Sequence, residues 1–386
     1  MKIVYYTQTP FLDSDFPLLQ SFQNRGDEVL IFVTLPPHAL RGTLLDIKEQ
    51  IQRNDVIPAK EYDEMKVYSD YLDLSHFYFL NRTKSSVKSI DYIRIMKKMC
   101  NMIEKFHPDV IHTTIVPDTV ELLLYKFRSK MVITMHDPFL HSGKSNLRSI
   151  IHRYIAIKLI PKIVLLNTVQ KNKFINTYKI KRDRILINKL GAYTFLNKCH
   201  SPIHKRDSET INLLFFGHIA SYKGLEYLMR AMPIIRAKIP NINLTIAGGG
   251  NLYFDYAPYT NLEYIKLINR YVSMDELATL LERCSVVVCP YKDATQSGVI
   301  MSAFAMNRIV VASNVGGLAE QVQNGVTGVL VRPCEVQELA DAIISICKDP
   351  SLIGKLERNI LKQNSSYDYS WSYIASKYVD FYTKEI

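Results

Sequence analysis

Residues 286–333 decide the fold of this chain and read VVVCPYKDATQSGVIMSAFAMNRIVVASNVGGLAEQVQNGVTGVLVRP. The apolar run Val286–Cys289 predicts a buried parallel strand, and the polar loop Ala294–Gly298 predicts the start of a helix. A second apolar run, Ile309–Ala312, precedes Gly316-Gly317 and a further short helix. A strand that passes through a small-residue turn into a helix presents unpaired backbone N–H groups and the positive end of the helix dipole. Such an arrangement suits a phosphate or a diphosphate.

A second loop of this kind lies at residues 215–225, FFGHIASYKGL. The strand pattern ends at Gly217, and Lys223 stands where the next helix begins. A lysine at that junction reaches an anion that lies across the strand ends of a doubly wound sheet. This glycine and lysine spacing is a weak motif alone, but together with the Ser297-Gly298 helix start it predicts a phosphate site.

Strand and helix patterns alternate along the chain in two series. The strands are predicted at Lys2–Tyr6, Glu28–Thr34, Val110–His112, Val132–His136, Ile163–Leu166, Ile211–Phe216, Asn243–Ala247, Leu262–Lys266, Val286–Cys289 and Ile309–Ala312. Strands separated by helices are typical of parallel sheets built from βαβ units. We therefore predict an α/β fold with two doubly wound, Rossmann-like domains, residues 1–200 and 201–368, joined by the polar segment Asn197–Thr210. The amphipathic tail, residues 369–386, is predicted as a helix that crosses back to the first domain.

The composition excludes several classes of protein. The 386 residues are 47% hydrophobic and 22% charged, as in a globular protein. No charge-free apolar run of 18 residues occurs, so we expect no transmembrane helix. The N-terminal MKIVYYTQTPFL is interpreted as a first strand rather than as a signal peptide. The six cysteines show no CxxC spacing, which favours a reduced, cytoplasmic protein without structural zinc.

The net charge of +11 is distributed unevenly. Residues 1–200 have 30 Lys and Arg against 19 Asp and Glu, whereas residues 201–386 have 18 of each kind. Residues 122–200 alone contain 16 basic residues and two acidic ones. Such an excess attracts an anionic partner. We favour an anionic membrane surface over nucleic acid, because no RNA-binding or helix-turn-helix signature accompanies the charge. The alternative is that the basic residues bind no partner and only keep the protein soluble.

The motifs resemble a known enzyme family. FFGHIASYKGLEYLMRAM at residues 215–232, LTIAGGG at residues 244–250 and the quoted residues 286–333 resemble the donor-binding half of the retaining glycosyltransferase family 4, which has the GT-B fold. The ATQSG loop is similar to that of a subgroup found in bacterial surface-polysaccharide clusters. The resemblance is dense from residue 211 to residue 386. It is thinner in the first 200 residues, where the stretch MHDP at residues 135–138 carries it.

The resemblance implies a nucleotide-sugar donor bound by the second domain and an acceptor bound by the first. Lys223 would neutralise the leaving diphosphate and His136 would lie near the sugar, so both are candidate catalytic residues. The alternative for His136 is a structural role, in which its imidazole caps the end of the strand. The amides of residues 296–299 would cradle the distal phosphate. The candidate donor-binding residues are Gly217, His218, Lys223, Gly248, Arg270, Tyr271, Val272, Thr295, Gln296, Ser297, Gly298, Val299, Ser302 and Glu320. The candidate acceptor-side residues are Thr9, Asp13, Asp15, His136 and Asp137.

The chain departs from the family pattern at three positions. His218 stands where many members have an arginine, and Ala294 and Ser302 stand where the family has its paired glutamates. Ser302 would then donate a hydrogen bond to the ligand, and Thr295 or Gln296 would replace the missing carboxylate contacts. Glu320 is present, as a ligand contact or as a structural cap for the following helix.

Asp13-Ser14-Asp15 matches the DxD metal motif of the other large glycosyltransferase fold. It follows the first strand directly, so a turn and a helix N-cap explain it without a metal. We therefore expect no metal and no cofactor here. The carboxyl end of the first strand also suits an acceptor contact.

The sequence thus predicts a metal-independent, retaining glycosyltransferase of the cytoplasm. Its acceptor would be a glycan or a polyprenyl-diphosphate-linked glycan, as in capsule or O-antigen assembly at the inner membrane face. Residues 147–159 are predicted as a helix that lies on lipid or, equally, packs on the core with a solvated basic edge. Two alternatives stay open: a non-catalytic partner that binds a nucleotide sugar, and a sugar-nucleotide epimerase of the same architecture.

Overall fold

The computed structural model describes residues 1–139, 147–198 and 210–385. The chain divides into two compact units, one formed by Met1–Leu190 with Trp371–Ile386 and the other by Gly191–Ser370. The division at residue 190 precedes the predicted boundary at residue 200, because Tyr193 already belongs to the second unit and donates its amide to the Met301 carbonyl. Most of the predicted linker, residues 199–209, lies outside the described residues.

The first unit is built on an eight-stranded sheet of order β10-β9-β8-β7-β1-β2-β6-β5. All neighbouring strands are parallel except β5, which runs antiparallel to β6 at the edge, and a small separate ladder joins β3 and β4. The strands are β1 Lys2–Gln8, β2 Glu28–Leu35, β3 Arg41–Gly42, β4 Leu45–Asp46, β5 Asp55–Pro58, β6 Phe77–Asn81, β7 Val110–Thr113, β8 Met131–Met135, β9 Lys162–Leu165 and β10 Ile185–Ile187. The helices of residues 1–190 are α1 Leu12–Asn24, α2 Ile90–Phe106, α3 Leu147–Leu159 and α4 Lys171–Tyr178, with a 3₁₀ segment at Thr119–Lys130.

Helix α2 shows how local sequence sets these elements. Ser89 caps its N-terminus by accepting a hydrogen bond from the Tyr92 amide, and His107 ends it in the left-handed conformation. Apolar residues at helical spacing, including Ile95 and Met99, are buried against the sheet. The apolar periodicity of the sequence predicts a helix over Ile90–Phe106, and the structure has it with these bounds.

The second unit has a six-stranded, fully parallel sheet of order β13-β12-β11-β14-β15-β16. Its strands are β11 Ile211–Phe216, β12 Ile242–Ala247, β13 Ile265–Ile268, β14 Val286–Cys289, β15 Ile309–Ser313 and β16 Gly328–Val331. Its helices are α5 Leu225–Lys238, α6 Met274–Arg283, α7 Gly298–Ala305, α8 Leu318–Gln321, α9 Val336–Lys348 and α10 Pro350–Ser365. The strand predicted at Leu262–Lys266 lies farther along the chain, at Ile265–Ile268, because the segment before Ile265 forms a turn. Both sheets confirm the predicted pair of Rossmann-like domains.

The C-terminal helix α11, Trp371–Thr383, packs within the first unit against α1. Tyr382 lies 2.5 Å from Nδ1 of the fully buried His112, whose Nε2 lies 2.7 Å from the Thr134 hydroxyl. Burial lowers the pKa of His112 to about 3, so the ring is neutral and serves as a hydrogen-bonding link between sheet and helix. The predicted crossing of the tail to the first domain is confirmed.

The pair Asp13 and Asp15 lies inside the first turn of α1, and Phe11 occupies the N-cap, so the N-cap prediction was wrong. Among the helices of the described ranges, none is both long enough and apolar enough to span a bilayer.

Candidate active site

The second unit has its topological switch point between β11 and β14, because the chain leaves β11 toward β12 on one side and later returns to β14 on the other. Ligands of doubly wound sheets bind at such points, at the carboxyl ends of the strands. Here β11 ends at Phe216 and is followed by Gly217, which has a φ of +95°. Close backbone approach also demands glycine at position 248, where a Cβ would lie 2.3 Å from the Gly217 carbonyl oxygen.

Lys223 lies at this switch point and is only 7% exposed. Its ammonium is 5.5 Å from the centre of the Tyr291 ring. Within the described part of the chain, Nζ has no carboxylate and no hydrogen-bond acceptor. Desolvation lowers the pKa of Lys223 to about 8, against a weaker opposing effect of the Cys289 thiol. A buried cation without a counter-charge is unfavourable, so a bound anion would stabilise this site.

Lys292, in the loop that follows β14, is a useful contrast. Its Nζ lies 2.9 Å from a Glu226 carboxylate oxygen, and the Tyr253 hydroxyl donates to the same carboxylate. The backbone amide of Lys292 donates to the Tyr222 carbonyl at 2.7 Å, which holds the two loops together. Lys292 is therefore already neutralised, whereas Lys223 is not.

The N-terminus of α7 lies against the same glycine, because a Cβ on Gly217 would be 3.6 Å from Cγ2 of Val299. Ser297 caps the helix by accepting a bond from the Ile300 amide at 3.4 Å. The amides of Gly298 and Val299 have no acceptor among the described residues. They are thus two oriented donors at the positive end of a helix.

The side chain of Gln321 clamps the backbone of Ser297. Its Oε1 accepts from the Ser297 amide at 2.8 Å, and its Nε2 donates to the Ser297 carbonyl at 3.3 Å. The Ser297 amide is consequently unavailable to a ligand, which corrects the predicted four-amide cradle. The sequence prediction selected Glu320 and overlooked its neighbour, although an amide side chain in the same GGLAEQ stretch was the available signal.

The remaining donor-side candidates differ in exposure. Thr295 and Ser302 are buried at 4% and 3% exposure, and Ala294 is buried at the position of the first family glutamate. Gln296 is half-buried, whereas His218 and Glu320 are exposed. Arg270 forms a bidentate pair with Glu276 at 2.7 and 2.8 Å, next to half-buried Tyr271 and Val272 at the carboxyl end of β13.

On the first unit, the carboxyl end of β1 holds a buried carboxylate. Asp15 accepts hydrogen bonds from the Tyr5 hydroxyl at 2.7 Å and from the Thr7 hydroxyl at 2.5 Å. Burial raises the pKa of Asp15 to about 7, although these two hydrogen bonds oppose the rise. Asp15 lines a small cavity together with His136 and Lys189, so the fold brings two of the acceptor-side candidates together.

His136 follows β8 and stacks on Phe11, with ring centres 3.8 Å apart and planes 8° apart. Burial lowers the pKa of His136 to about 4, which keeps the imidazole neutral at pH 7. The stacking partner was not predicted, since residues 11 and 136 meet only through the β1 and β8 ends. The neutral ring suits a hydrogen bond to a hydroxyl rather than a charge contact.

The other acceptor-side candidates lie nearby in the chain. Thr9 is 2% exposed, and its hydroxyl has no hydrogen-bond partner among the described residues. Asp13 accepts from the Ser14 amide, and burial raises the pKa of Asp13 to about 7. The carbonyl of Asp137 accepts a hydrogen bond from Arg153 of α3. Across residues 1–139, 147–198 and 210–385, no three His, Cys, Asp or Glu side chains form a cluster that could hold a metal.

Comparison with known proteins agrees with this geometry. Residues 210–349 match the family model described as glycosyl transferases group 1. This part of the chain is therefore similar to the group 1 glycosyltransferases, and the two Rossmann-like domains have the fold of GT-B glycosyltransferase structures. An uncharacterized glycosyltransferase of Haemophilus influenzae is 25% identical over 284 residues, which are 72% of this chain and 77% of that protein.

Two other similar proteins extend the comparison. Glycogen synthase of Mycobacterium tuberculosis is 32% identical over 173 residues, 44% of this chain and 42% of that protein. The match therefore spans less than half of the glycogen synthase. The structure of Anabaena HepE in complex with UDP-glucose superimposes with a TM-score of 0.69 at 14% identity and covers 98% of both chains. At this identity the likeness concerns the fold alone.

Proposed function

We propose that this chain is a group 1 glycosyltransferase that retains configuration and transfers a sugar from a nucleotide-diphosphate sugar to a glycan or a polyprenyl-diphosphate-linked glycan. The observation that carries the proposal is the buried, unpaired ammonium of Lys223 beside the free amides of Gly298 and Val299. A diphosphate supplies the negative charge that this group of donors lacks. The nucleotide sugar named in the HepE structure supports the same ligand class.

The donor would lie with its diphosphate at the β11/β14 switch point. Lys223 would neutralise the developing charge on the leaving phosphate, and the Gly298 and Val299 amides would bind the distal oxygens. Because these groups provide the positive charge, we propose that no metal or cofactor is required. Thr295, Gln296 and Ser302 would take the sugar and ribose hydroxyls in place of the glutamates, with Arg270–Val272 beside the base.

Retention would proceed on one face of the sugar. The departing diphosphate oxygen takes the proton of the acceptor hydroxyl, the bond from the anomeric carbon to the phosphate oxygen breaks, and the new glycosidic bond forms on the same side. Ala294 supports this route, because it leaves no carboxylate nucleophile at the position of the first family glutamate. The enzyme then acts by positioning and by electrostatic stabilisation of the leaving group.

The acceptor would bind on the first unit, where Thr9, Asp13, Asp15, His136 and Asp137 surround the carboxyl ends of β1 and β8. A neutral His136 and the Asp15 carboxylate suit hydroxyl groups of a glycan. We propose that the product belongs to bacterial surface polysaccharide, such as capsule or O-antigen, made in the cytoplasm at the inner face of the membrane.

The decisive experiment is a thermal-shift screen with UDP, GDP and ADP and their common sugars, followed by transfer assays with the donor that binds. We expect one nucleotide diphosphate to raise the melting temperature, and Lys223→Ala to abolish the rise, whereas Lys292→Ala leaves it. NMR of the product should show the donor's anomeric configuration, and EDTA should leave the rate unchanged. An inverted product would reject retention, and binding without turnover on any acceptor would favour the non-catalytic alternative.

A further inference from the structure

Helix α3 exposes an apolar face to solvent. Leu147 is 73% exposed, Ile150 49%, Ile151 47% and Tyr154 51%, and their spacing of three and four residues places them on one side of the helix. The helix is anchored at its C-terminal end, since Ala156 and Ile157 belong to the core of the first unit. Half-exposed large side chains in such a row are unusual on a monomer and mark an interaction surface.

The neighbouring 3₁₀ segment, Thr119–Lys130, continues this surface. Arg148 at the start of α3 lies 3.2 Å from a carboxylate oxygen of Asp118 and also contacts Thr119. Leu122 and Leu123 on that segment are 37% and 38% exposed. We call the six side chains the α3 face: Leu122, Leu123, Leu147, Ile150, Ile151 and Tyr154.

Apart from Asp118, which is paired with Arg148, the charge around the α3 face is mostly positive. Residues 147–184 contain ten Lys and Arg and a single acidic residue, Asp183. Lys158 of α3 donates to the Tyr178 carbonyl, so the end of α4 lies beside α3. The exposed cations of this region are Arg148, which is paired with Asp118, and Lys158, Lys173, Lys179, Lys181 and Arg182. An apolar surface with a cationic border is complementary to an anionic bilayer rather than to a neutral or basic partner.

The α3 face also lies close to the acceptor-side residues. Arg153, on the same helix, donates to the Asp137 carbonyl next to His136. A lipid surface in contact with α3 would thus bring a membrane-anchored acceptor toward the carboxyl end of β8.

We propose that the α3 face docks on the surface of an anionic phospholipid bilayer, with its apolar side chains at the boundary of headgroups and acyl chains. The inference rests on the proposed function, in which the acceptor is lipid-linked, and it adds the surface that meets the lipid. The occupant is a bilayer and not a second copy of this chain, because two copies would bring like charges of the same cationic border together.

Flotation of the full chain with vesicles tests the docking. Wild type should float with vesicles of 70% phosphatidylcholine and 30% phosphatidylglycerol, and much less with pure phosphatidylcholine or in 0.5 M salt. The variant Ile150→Asp/Tyr154→Asp should bind the anionic vesicles at least tenfold more weakly. The matched control Leu361→Asp changes an equally exposed residue of α10, at 53% exposure, and should float like wild type.

The same preparations distinguish this inference from the proposed function. Donor-induced thermal shift, measured on each variant, should be unaffected by Ile150→Asp/Tyr154→Asp. If wild type does not bind the anionic vesicles although its thermal shift is intact, the docking proposal alone is overturned. Equal flotation of the double variant and wild type would also overturn it. A missing thermal shift with vesicle binding intact would overturn only the donor site. A concentration-dependent dimer in light scattering that disappears in the double variant would assign the α3 face to self-association instead.

Discussion

Lys223 holds its ammonium directly against Gly217, so close that a Cβ at position 217 would lie 2.7 Å from Nζ. Glycine is required there twice, by this contact and by its φ of +95°. The lysine therefore occupies the space that any other residue would fill, at the end of β11 where a doubly wound sheet binds phosphate. Strand end, glycine and buried cation form one unit.

Replacing Lys223 by methionine should stabilise the free protein while abolishing its response to donor. The folded-state pKa of Lys223 is about 8 against an ordinary value of 10.5. At pH 7 the charged form therefore costs up to about 3 kcal/mol relative to the unfolded chain. We expect urea unfolding to give a higher free energy of unfolding for Lys223→Met by about 2 kcal/mol. Lys292→Met, which breaks the pair with Glu226, should instead be less stable and still bind the nucleotide. A destabilised Lys223→Met protein would contradict the absence of a counter-charge.

The same lysine predicts how donor binding depends on pH. Lys223 is charged below its pKa of about 8 and neutral above it. Nucleotide diphosphate affinity should therefore fall as the pH rises beyond 8, and stability should rise between pH 8 and 10.5, because the folded state releases the proton first. Calorimetric titration of the nucleotide at pH 7 and 9 measures the first effect. Lys223→Arg keeps its charge over this range, so an equal fall in that variant would assign the pH dependence to another group.

Removing the Gln321 clamp should weaken donor binding without unfolding the protein. Gln321→Ala deletes both hydrogen bonds to Ser297 and frees the N-terminal turn of α7. A loss of about 1–1.5 kcal/mol, roughly tenfold in Kd for the nucleotide, is expected from two such bonds to a partly buried backbone. Gln323→Ala is the matched control, because Gln323 lies two residues along the chain and its side-chain amide donates to Gln363 and Tyr369 rather than to Ser297. Equal affinity of both variants would show that Ser297 is held without the clamp.

The link between the C-terminal helix and the sheet predicts a stability effect in the first unit. Tyr382→Phe removes the hydroxyl next to Nδ1 of the buried His112 and leaves that nitrogen without its partner. We expect a loss of about 1–3 kcal/mol in the free energy of unfolding. Tyr367→Phe, at a residue that is 64% exposed, should change it by less than about 0.5 kcal/mol. Urea unfolding followed by circular dichroism compares the two; a silent Tyr382→Phe would mean that packing alone retains α11.

Part of the fold and of this site could be predicted from the sequence, because it depends on residues that are close together along the chain. The bounds of α2 and β11 follow from local apolar periodicity and capping, and Lys223 stands at a strand-to-helix junction that the pattern itself marks. The edge strand β5 and its neighbour β6 were missed and β13 was displaced, because short apolar runs near turns take their state from the sheet they join.

By itself, then, the sequence determined two parallel sheets, the glycine-bearing turns and the residue types that meet a diphosphate, since these depend on short-range periodicity and backbone sterics. Only the tertiary structure decided that Lys223 lacks a counter-charge among the described residues while Lys292 has one, and that Gln321 uses the Ser297 amide. It also decided that His136 stacks on Phe11. Each of these contacts joins segments far apart in the chain, and burial, which sets the charge state of such groups, exists only once those segments have packed together.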